Sequence, residues 1–563
     1  MTDLLNTIFS KMAEQNAINL IKRTPHIEAI QDFFFKTLLQ YYEKTELGKK
    51  YQLKEIKTID EFRQRVPISR YSSYKPYIDR IVNGEPNILT PEPPKYINIT
   101  SGTTGTVKKI PVTKMFHNNM QLNTLTALGF LSKSLHGRGL NFGKVLITNC
   151  QNKLATTRAG IESGWSGANL LRNFNSSYKN FLANPYESLH IDNDFARNYI
   201  CLLFALQNPE MKGLGGNFPM FVLRLCDILE QYAESFIEDI ERGKINQNLE
   251  LEPKIRGKLE KLLKPSASCS DRLRNILKTE GKLTPKRAWE NLSFVITARG
   301  GTSDFYLARF PEYFEDVPIF GGVYSSAEGF WGIYPELDRD GSLLAITSNF
   351  FEFIPREEWQ EENPKTLLAS EVKSGEFYRI VTTNYNGFYR YDIGDVVEVV
   401  GFNEKTPLIV FRYRQGEVLS SISEETTEGH ALSIVGELST EFGLSLKDFC
   451  ITLSADDFPP HYLLNIELAA GDRLNNPELF LRQFDEKLKI INLSYGVKRT
   501  LGIIPPPRLR ILEPGSFEII FQREIERGIP EFKLKYPHIT KYRNFLAGLN
   551  VLKEVRLPEE NNN

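Results

Sequence analysis

Cysteine, histidine, methionine and tryptophan are all scarce in this 563-residue chain, at 5, 7, 6 and 4 residues. The cysteines (Cys150, Cys201, Cys226, Cys269 and Cys450) are odd in number, widely spaced and form no C-x-x-C pair. They read as small buried apolar residues in a reducing compartment, not as a disulfide framework. The histidines are scattered from His26 to His538 with no H-x-x-x-H, so a zinc site built from close ligand pairs is not expected. Excess charge of either sign is missing too. The 69 basic and 70 acidic residues leave a net charge of −1, which argues against a dedicated nucleic-acid binder or a polybasic membrane-surface protein. Long apolar runs are also lacking: the best, Tyr199–Leu206, falls far short of the ~20 residues that cross a bilayer. Met1–Leu20 is interrupted by Asp3, Lys11 and Glu14 and is not read as a secretory signal. The expectation is a cytoplasmic protein with no membrane and no nucleic-acid partner.

What is present suits a large globular fold. Hydrophobic residues make up 41% and charged residues 25%, and the length corresponds to about four domains of ~150 residues, or fewer large α/β units. The first segment reads as helix: within Ala29–Tyr42, Ile30, Phe33, Phe34, Leu38 and Tyr41 share one face of a helical period. Tyr96–Thr100, Val145–Thr148 and Leu292–Thr297 read as strands. Phe195–Leu206, Phe218–Ile240 and Lys254–Leu277 read as helices, the last jointed at Pro265–Ser268. Strands alternating with helices predict an α/β unit with a largely parallel sheet.

From residue 341 the texture becomes short strands, at Ser342–Ser348, Phe350–Ile354, Gly375–Thr382, Val396–Val400 and Leu408–Tyr413. Without intervening helices these predict an antiparallel, β-barrel-like subdomain. After Gln415-Gly416 strand–helix alternation resumes. The predicted architecture is therefore α/β: a large N-terminal domain over 1–413 and a smaller, mobile α+β C-terminal domain over 414–563, hinged near 414–417.

Four segments carry candidate chemistry. Tyr96–Thr100 runs into Ser101-Gly102-Thr103-Thr104-Gly105-Thr106, followed by Lys108 and Lys109. Glycines, hydroxyls and successive backbone N–H groups offer a dense donor array to phosphate oxygens; a plain polar loop is the alternative. It is not a G-x-x-x-x-G-K-[ST] loop. In Val323-Tyr324-Ser325-Ser326-Ala327-Glu328-Gly329, an aromatic ring can stack on a base and a carboxylate can hold Mg²⁺, or both are ordinary core and surface residues. In Phe388-Tyr389-Arg390-Tyr391-Asp392-Ile393-Gly394-Asp395-Val396, the last aspartate can accept from both ribose hydroxyls or simply form an Asx turn. Fourth, Phe411-Arg412-Tyr413-Arg414-Gln415-Gly416-Glu417 puts a ligand-gripping arginine beside a hinge glycine.

The order S-G-T-T-G…K, Y-x-x-x-E, Y-R-Y-x-x-G-D-V and F-R-Y-R-x-x-x-V-L-S is similar to that of the adenylate-forming superfamily of acyl-CoA synthetases and firefly luciferase. Within it, Phe388–Asn403, Val418-Leu419-Ser420 and Glu424–Glu428 resemble the Gretchen Hagen 3 acyl acid–amido synthetases, which conjugate auxin and jasmonate in plants and also occur in bacteria. The resemblance implies ATP and Mg²⁺, a carboxylic acid substrate and an amino acid acceptor, with the enzyme a monomer. It assigns Ser101, Thr103 and Thr104 to the nucleotide phosphates, Gly102, Ser326 and Lys108 (with Lys109 as the alternative lysine) to the nucleotide site, Tyr324 to adenine, Glu328 to Mg²⁺, Asp395 to the ribose diol and Arg414 to ribose or phosphate. In Phe532-Lys533-Leu534-Lys535-Tyr536-Pro537, Lys535 matches the family's mobile lysine, and Lys533 stays an alternative.

This chain departs from the plant pattern at Thr104 and Thr106 in the loop, and at Ala327, where a serine usually precedes the glutamate. The implied reaction is acid activation as acyl-AMP with loss of pyrophosphate, then transfer to an amine. Transfer to CoA, a carrier or a protein acceptor is the second reading, and a non-catalytic binding protein the third. No G-x-S-x-G elbow or Cys/His pair suggests a side-chain nucleophile. The acyl pocket is expected from Val295–Tyr324 and a helix spanning Leu122–Leu131.

Overall fold

The computed structural model describes residues 2–101, 107–140, 142–149, 155–165, 180–415, 418–531 and 534–558. It consists of two units: Met1–Gly300 with Phe310–Phe411, and Gly301–Arg309 with Arg412–Asn563.

In the first unit, strands Lys144–Leu146, Met211–Gly215, Phe294–Ile296 and Ile319–Phe320 pair in that order, all parallel. Helix Asp194–Leu206 is capped by Asn193, whose side chain accepts from Ala196 N–H, and it is buried all round from Ala196 onward. Such a helix belongs inside an α/β layer. The expected helix Phe218–Ile240 is two, Pro219–Gln231 and Ala233–Arg242, parted at Tyr232. The ring of Tyr232 packs on Phe195 and Tyr199 there, at centroid distances of 5.0 and 6.2 Å. The helix over Leu122–Leu131 is present within Lys114–Gly137, and Gly129 lets it touch the backbone of Ala13 in helix Thr2–Ile21, where any side chain would collide.

A second sheet pairs Tyr96–Ser101 antiparallel with Val107–Val112, in register from Tyr96↔Val112 to Ser101↔Val107. The hydroxyl segment over 102–106 thus links two strands, and it lies outside the described residues. The expected antiparallel subdomain is an eight-stranded sheet. Its order is Leu367–Leu368, Asn349–Pro355, Phe377–Asn384, Tyr391–Asn403, Thr406–Arg414, Ser342–Leu344, Phe330–Ile333 and Val323–Ser325. The candidate strands of the second and third motifs therefore belong to one sheet. Helix Ile27–Tyr42 packs against this sheet's core, but its buried face is Ile27, Gln31, Phe34, Phe35, Leu38, Leu39 and Tyr42. Phe33, placed on the buried face by hydropathy alone, is 73% exposed.

The second unit is α+β, as expected. Leu446–Leu453, Tyr462–Leu468, Arg508–Leu512 and Val551–Arg556 form its sheet. Helices Glu428–Glu441 and Pro477–Ile491 cover it through Ile434, Leu438, Phe480 and Phe484. The short helix Ser303–Leu307, far away in sequence, also packs into this unit.

Candidate active site

Strands Val323–Ser325 and Phe330–Ile333 are joined by a tight turn in which the Ser326 N–H donates to the Gly329 carbonyl at 2.9 Å. The turn holds the Glu328 carboxyl in the protein, 8% exposed for the residue as a whole. Both of its oxygens are engaged. The Ser326 hydroxyl donates to Oε2 at 2.8 Å. Oε1 accepts from the Tyr391 hydroxyl at 3.2 Å and faces the Lys108 ammonium at 3.5 Å. Asn384 fixes the Glu328 main chain by donating to its carbonyl at 3.0 Å. A buried carboxylate is costly without such partners, and its donors come from the turn itself and from two separate strands.

Of the two lysines after the hydroxyl segment, Lys108 is the one that reaches Glu328. Alternation along strand Val107–Val112 sends its neighbour to the other face. Along the free edge of this strand the main chain of Lys109 is held by the Tyr71 hydroxyl, which accepts from its N–H at 2.8 Å and donates to its carbonyl at 3.2 Å. The Lys108 ammonium also lies 5.4 Å from the centre of the Tyr71 ring, a geometry that attracts a cation.

Asp395 reaches the same face by a bulge. Between the pairs Val381↔Asp392 and Arg379↔Val396, one strand advances two residues while the other advances four. Gly394 sits there with φ 78, which glycine adopts without strain, and bulges of this kind re-aim a side chain. Asp395 is 3% exposed and accepts from the Tyr324 hydroxyl at 2.8 Å. The Tyr324 ring lies 5.8 Å from that of Phe411, tilted by 47°.

The rest of the third motif is structural. Arg390 is turned inward, its Nε and Nη2 each 3.0 Å from Glu352. Glu352 also accepts from Thr366 at 2.6 Å and Arg63 at 3.2 Å. Asp392 faces Arg70 at 3.1 Å and Arg379 at 3.3 Å and takes the Gly394 N–H at 2.9 Å. Behind the hydroxyl-bearing strand, His117 lies 3.4 Å from the Tyr96 hydroxyl. Burial, with the nearby Lys95, pushes its pKa down to about 4, so its imidazole is neutral at pH 7. Glu424, in the V-L-S…E-E-T-T stretch, is likewise a brace: it accepts from Ser421 N–H at 2.5 Å, Ile422 N–H at 2.8 Å and the Tyr462 hydroxyl at 2.7 Å.

In the first unit, then, Lys108, Ser326 and Glu328 form one hydrogen-bonded group and Tyr324 with Asp395 another, both on the eight-stranded sheet and its neighbour. Ser101 ends its strand opposite Val107, while Gly102, Thr103 and Thr104 lie outside the described residues. Arg414, half-buried at the end of strand Thr406–Arg414, and Lys535, exposed between buried Leu534 and Tyr536, belong to the second unit. Lys533 also lies outside the described residues. Sequence reasoning missed Tyr391 and Asn384. The signal for Tyr391 was strand alternation within its own motif, which separates it from Arg390 and Asp392. For Asn384 there was no local signal.

Among the described residues no cluster of three or more His, Cys, Asp or Glu could hold a metal by itself. Mg²⁺ commonly takes only one or two carboxylates and completes its shell with substrate phosphates and water. A single inward carboxylate such as Glu328 fits that donor chemistry.

Comparison with known proteins decides the family. Residues 17–319 match the GH3 family N-terminal domain, 342–414 the GH3 family central domain and 430–544 the GH3 family C-terminal domain. The chain belongs to the GH3 family. Among GH3 relatives, 4-substituted benzoates-glutamate ligase GH3.12 of Arabidopsis thaliana is 26% identical over 551 residues, covering 92% of this chain and 94% of that protein. Jasmonoyl-L-amino acid synthetase JAR4 of Nicotiana attenuata is 27% identical over 514 residues, 87% of each chain. The fold agrees with that of AtGH3.15 acyl acid amido synthetase in complex with 2,4-DB, at a TM-score of 0.86, 24% identity and 97% of both chains. It also agrees, more distantly, with 2-hydroxyisobutyryl-CoA ligase in complex with 2-HIB-AMP, at a TM-score of 0.54, 14% identity and 92% and 90% of the two chains. The GH3 family and the α/β architecture implied by the motifs are therefore both borne out.

Proposed function

We propose that this GH3 protein is an ATP-dependent acyl acid–amido synthetase that activates a carboxylic acid as its acyl-adenylate and passes the acyl group to the amine of an amino acid. One observation carries the reading: in a chain matched along its length to amide-forming GH3 ligases, the buried Glu328 carboxyl is shared by Lys108, Tyr391 and Ser326. A carboxylate resists attack by an amine because oxide is a poor leaving group, and conversion to the mixed anhydride with AMP supplies a good one. In the first step the acid's oxygen attacks the α-phosphorus in line and pyrophosphate departs. Negative charge approaches negative charge, so positioning and cationic stabilisation supply most of the catalysis.

In this reading Tyr324 and Asp395 form the nucleoside end of the site. The Tyr324 ring lies along adenine, and Asp395 exchanges the Tyr324 hydroxyl for the ribose diol or shares both. Glu328 and Lys108 form the phosphate end, with Ser101, Gly102, Thr103, Thr104 and Ser326 as further donors. Mg²⁺ held by Glu328 and the substrate phosphates would neutralise charge there, and Lys108 is released from Glu328 to the phosphates. Residues 1–413 act as the adenylation domain and 414–563 as a lid hinged near 414–417, which brings Arg414 to the nucleotide and Lys535 to the reacting phosphate. A cytoplasmic monomer is the proposed form; Cys201, Cys269 and Cys450 carry free thiols.

The test is ATP–pyrophosphate exchange across a panel of carboxylic acids, followed by mass spectrometry of the product formed with mixed amino acids and CoA. Acid-dependent exchange with an amide product supports the reading, and a thioester made with CoA in its place would move the protein to the acyl-CoA ligases. Lys535→Ala should lower adenylation on the order of 10²–10³-fold, as loss of a charge-stabilising donor does elsewhere. A near-normal rate would remove Lys535 from the mechanism.

A further inference from the structure

The segment carrying Lys535 is anchored in the second unit by a buried charge cluster that none of the assigned roles uses. His538 is fully buried. Its Nδ1 lies 3.4 Å from Glu428 and its Nε2 3.5 Å from Asp448. Its main-chain N–H donates to Glu428 at 2.8 Å. Asp448 is held in turn by the Tyr306 hydroxyl at 2.9 Å and the Phe449 N–H at 2.8 Å. The rings of Phe305 and Phe449 close over the imidazole at 5.3 and 4.5 Å. On the far side the His538 carbonyl accepts from Ile451 N–H at 2.8 Å, which ties the segment to the sheet edge.

The chain between the two residues has little freedom. Pro537 fixes one φ, and Tyr536 is buried with its hydroxyl donating to the Phe517 carbonyl at 2.7 Å. Leu534 is buried as well, so Lys535 is the exposed residue in an extended stretch of inward anchors. Three residues of extended chain span only ~10 Å. The same Glu428 that grips His538 also feels the charge of Lys535.

We propose that His538 is a positioning residue for Lys535: clamped between Glu428 and Asp448, it fixes the segment that presents that lysine to the nucleotide. The inference rests on the proposed role of Lys535. The titratable groups around the clamp are Glu428, Asp448, Tyr306, Cys450, Tyr536 and Lys535. Burial alone would lower the His538 pKa. The carboxylates of Asp448 and Glu428 beside its two ring nitrogens outweigh it and raise the value to about 9. A group whose pKa is raised on folding lends stability below its unfolded value and loses it as pH rises through the folded one. The clamp therefore holds at neutral pH and releases above pH 9.

The experiment is a double-mutant cycle on the full chain, read as acid-dependent pyrophosphate exchange. His538→Gln should lower kcat by roughly 10–100-fold through lysine misplacement, with the KM for ATP little changed. On a Lys535→Ala background it should cost nothing further. The alkaline fall of the wild-type rate near pH 9 should be absent from His538→Gln. An unchanged kcat, or a loss that adds in full on the Lys535→Ala background, overturns the proposal. A normal rate in Lys535→Ala alone instead removes the lysine assignment on which it stands. Should circular dichroism show His538→Gln unfolded, Glu428→Gln, which keeps an acceptor for the main-chain N–H, takes its place in the same cycle under the same criteria.

Discussion

Tyr391→Phe deletes one oxygen from the group around Glu328 and leaves the ring volume intact. The lost hydrogen bond is 3.2 Å long and ends on a carboxylate. Bonds to charged groups contribute about 1.5–3 kcal/mol. Here Oε1 keeps Lys108 at 3.5 Å and Oε2 keeps Ser326 at 2.8 Å, so the carboxylate is not orphaned and the lower end applies. About 1.5 kcal/mol corresponds to roughly tenfold in a rate or binding constant. The assay is acid-dependent pyrophosphate exchange over a Mg²⁺ series at fixed ATP. The expected outcome is a roughly tenfold lower kcat/KM, expressed as a higher Mg²⁺ concentration at half-maximal rate. The ring would stay packed on Phe388 and Tyr74, at 4.6 and 5.8 Å, so the urea midpoint should stay close to wild type. Tyr74→Phe is the matched control, since its hydroxyl bonds the Tyr389 main chain and not Glu328. Unchanged Mg²⁺ dependence in Tyr391→Phe, or an equal loss in Tyr74→Phe, would refute the idea that Tyr391 orients Glu328.

Asp395→Ala should lower kcat/KM for ATP on the order of 10²-fold yet barely alter that for 2′,3′-dideoxy-ATP, because a site built to bond hydroxyls penalises their absence; equal losses on both nucleotides would deny a ribose contact. Glu352→Ala leaves Arg390 buried without its carboxylate and should cost about 3–5 kcal/mol in urea denaturation, with a change below 1 kcal/mol counting against the ion-pair brace. His117, with its pKa pushed down to about 4, stays neutral when folded while the unfolded chain takes up its proton near pH 6.5. Stability should therefore fall as pH drops from 6.5 toward 4, by up to about 3 kcal/mol. His117→Gln should flatten that limb, and an unchanged slope would contradict the assignment.

Much of this was legible in the sequence. Strand periodicity and turn residues marked the antiparallel block, and helix breaks at Pro265–Ser268 separated Pro253–Leu262 from Ala267–Glu280. The candidate site was legible as residue types in motif order. Its wiring was not, because it depends on contacts distant in sequence: Tyr391 meets Glu328 across 63 residues. Helix Ile27–Tyr42 shows the limit of hydropathy. Gln31 is buried because its amide bonds the main chain of Ile346, Asn349 and Phe351, at 2.7, 2.9 and 2.9 Å. That polar anchor rotates the helix and turns Phe33 to solvent. Tyr306 is another case, since a segment read as part of the first unit carries a hydrogen bond to Asp448 in the second.

The most direct measurement is a crystal structure of the protein grown with ATP, Mg²⁺ and a carboxylic acid that supports pyrophosphate exchange. The expected result places the ribose hydroxyls within hydrogen-bonding distance of Asp395, the base along Tyr324 and a cation on Glu328. A nucleotide bound elsewhere, with those three side chains as they stand in the free protein, would contradict the proposed site.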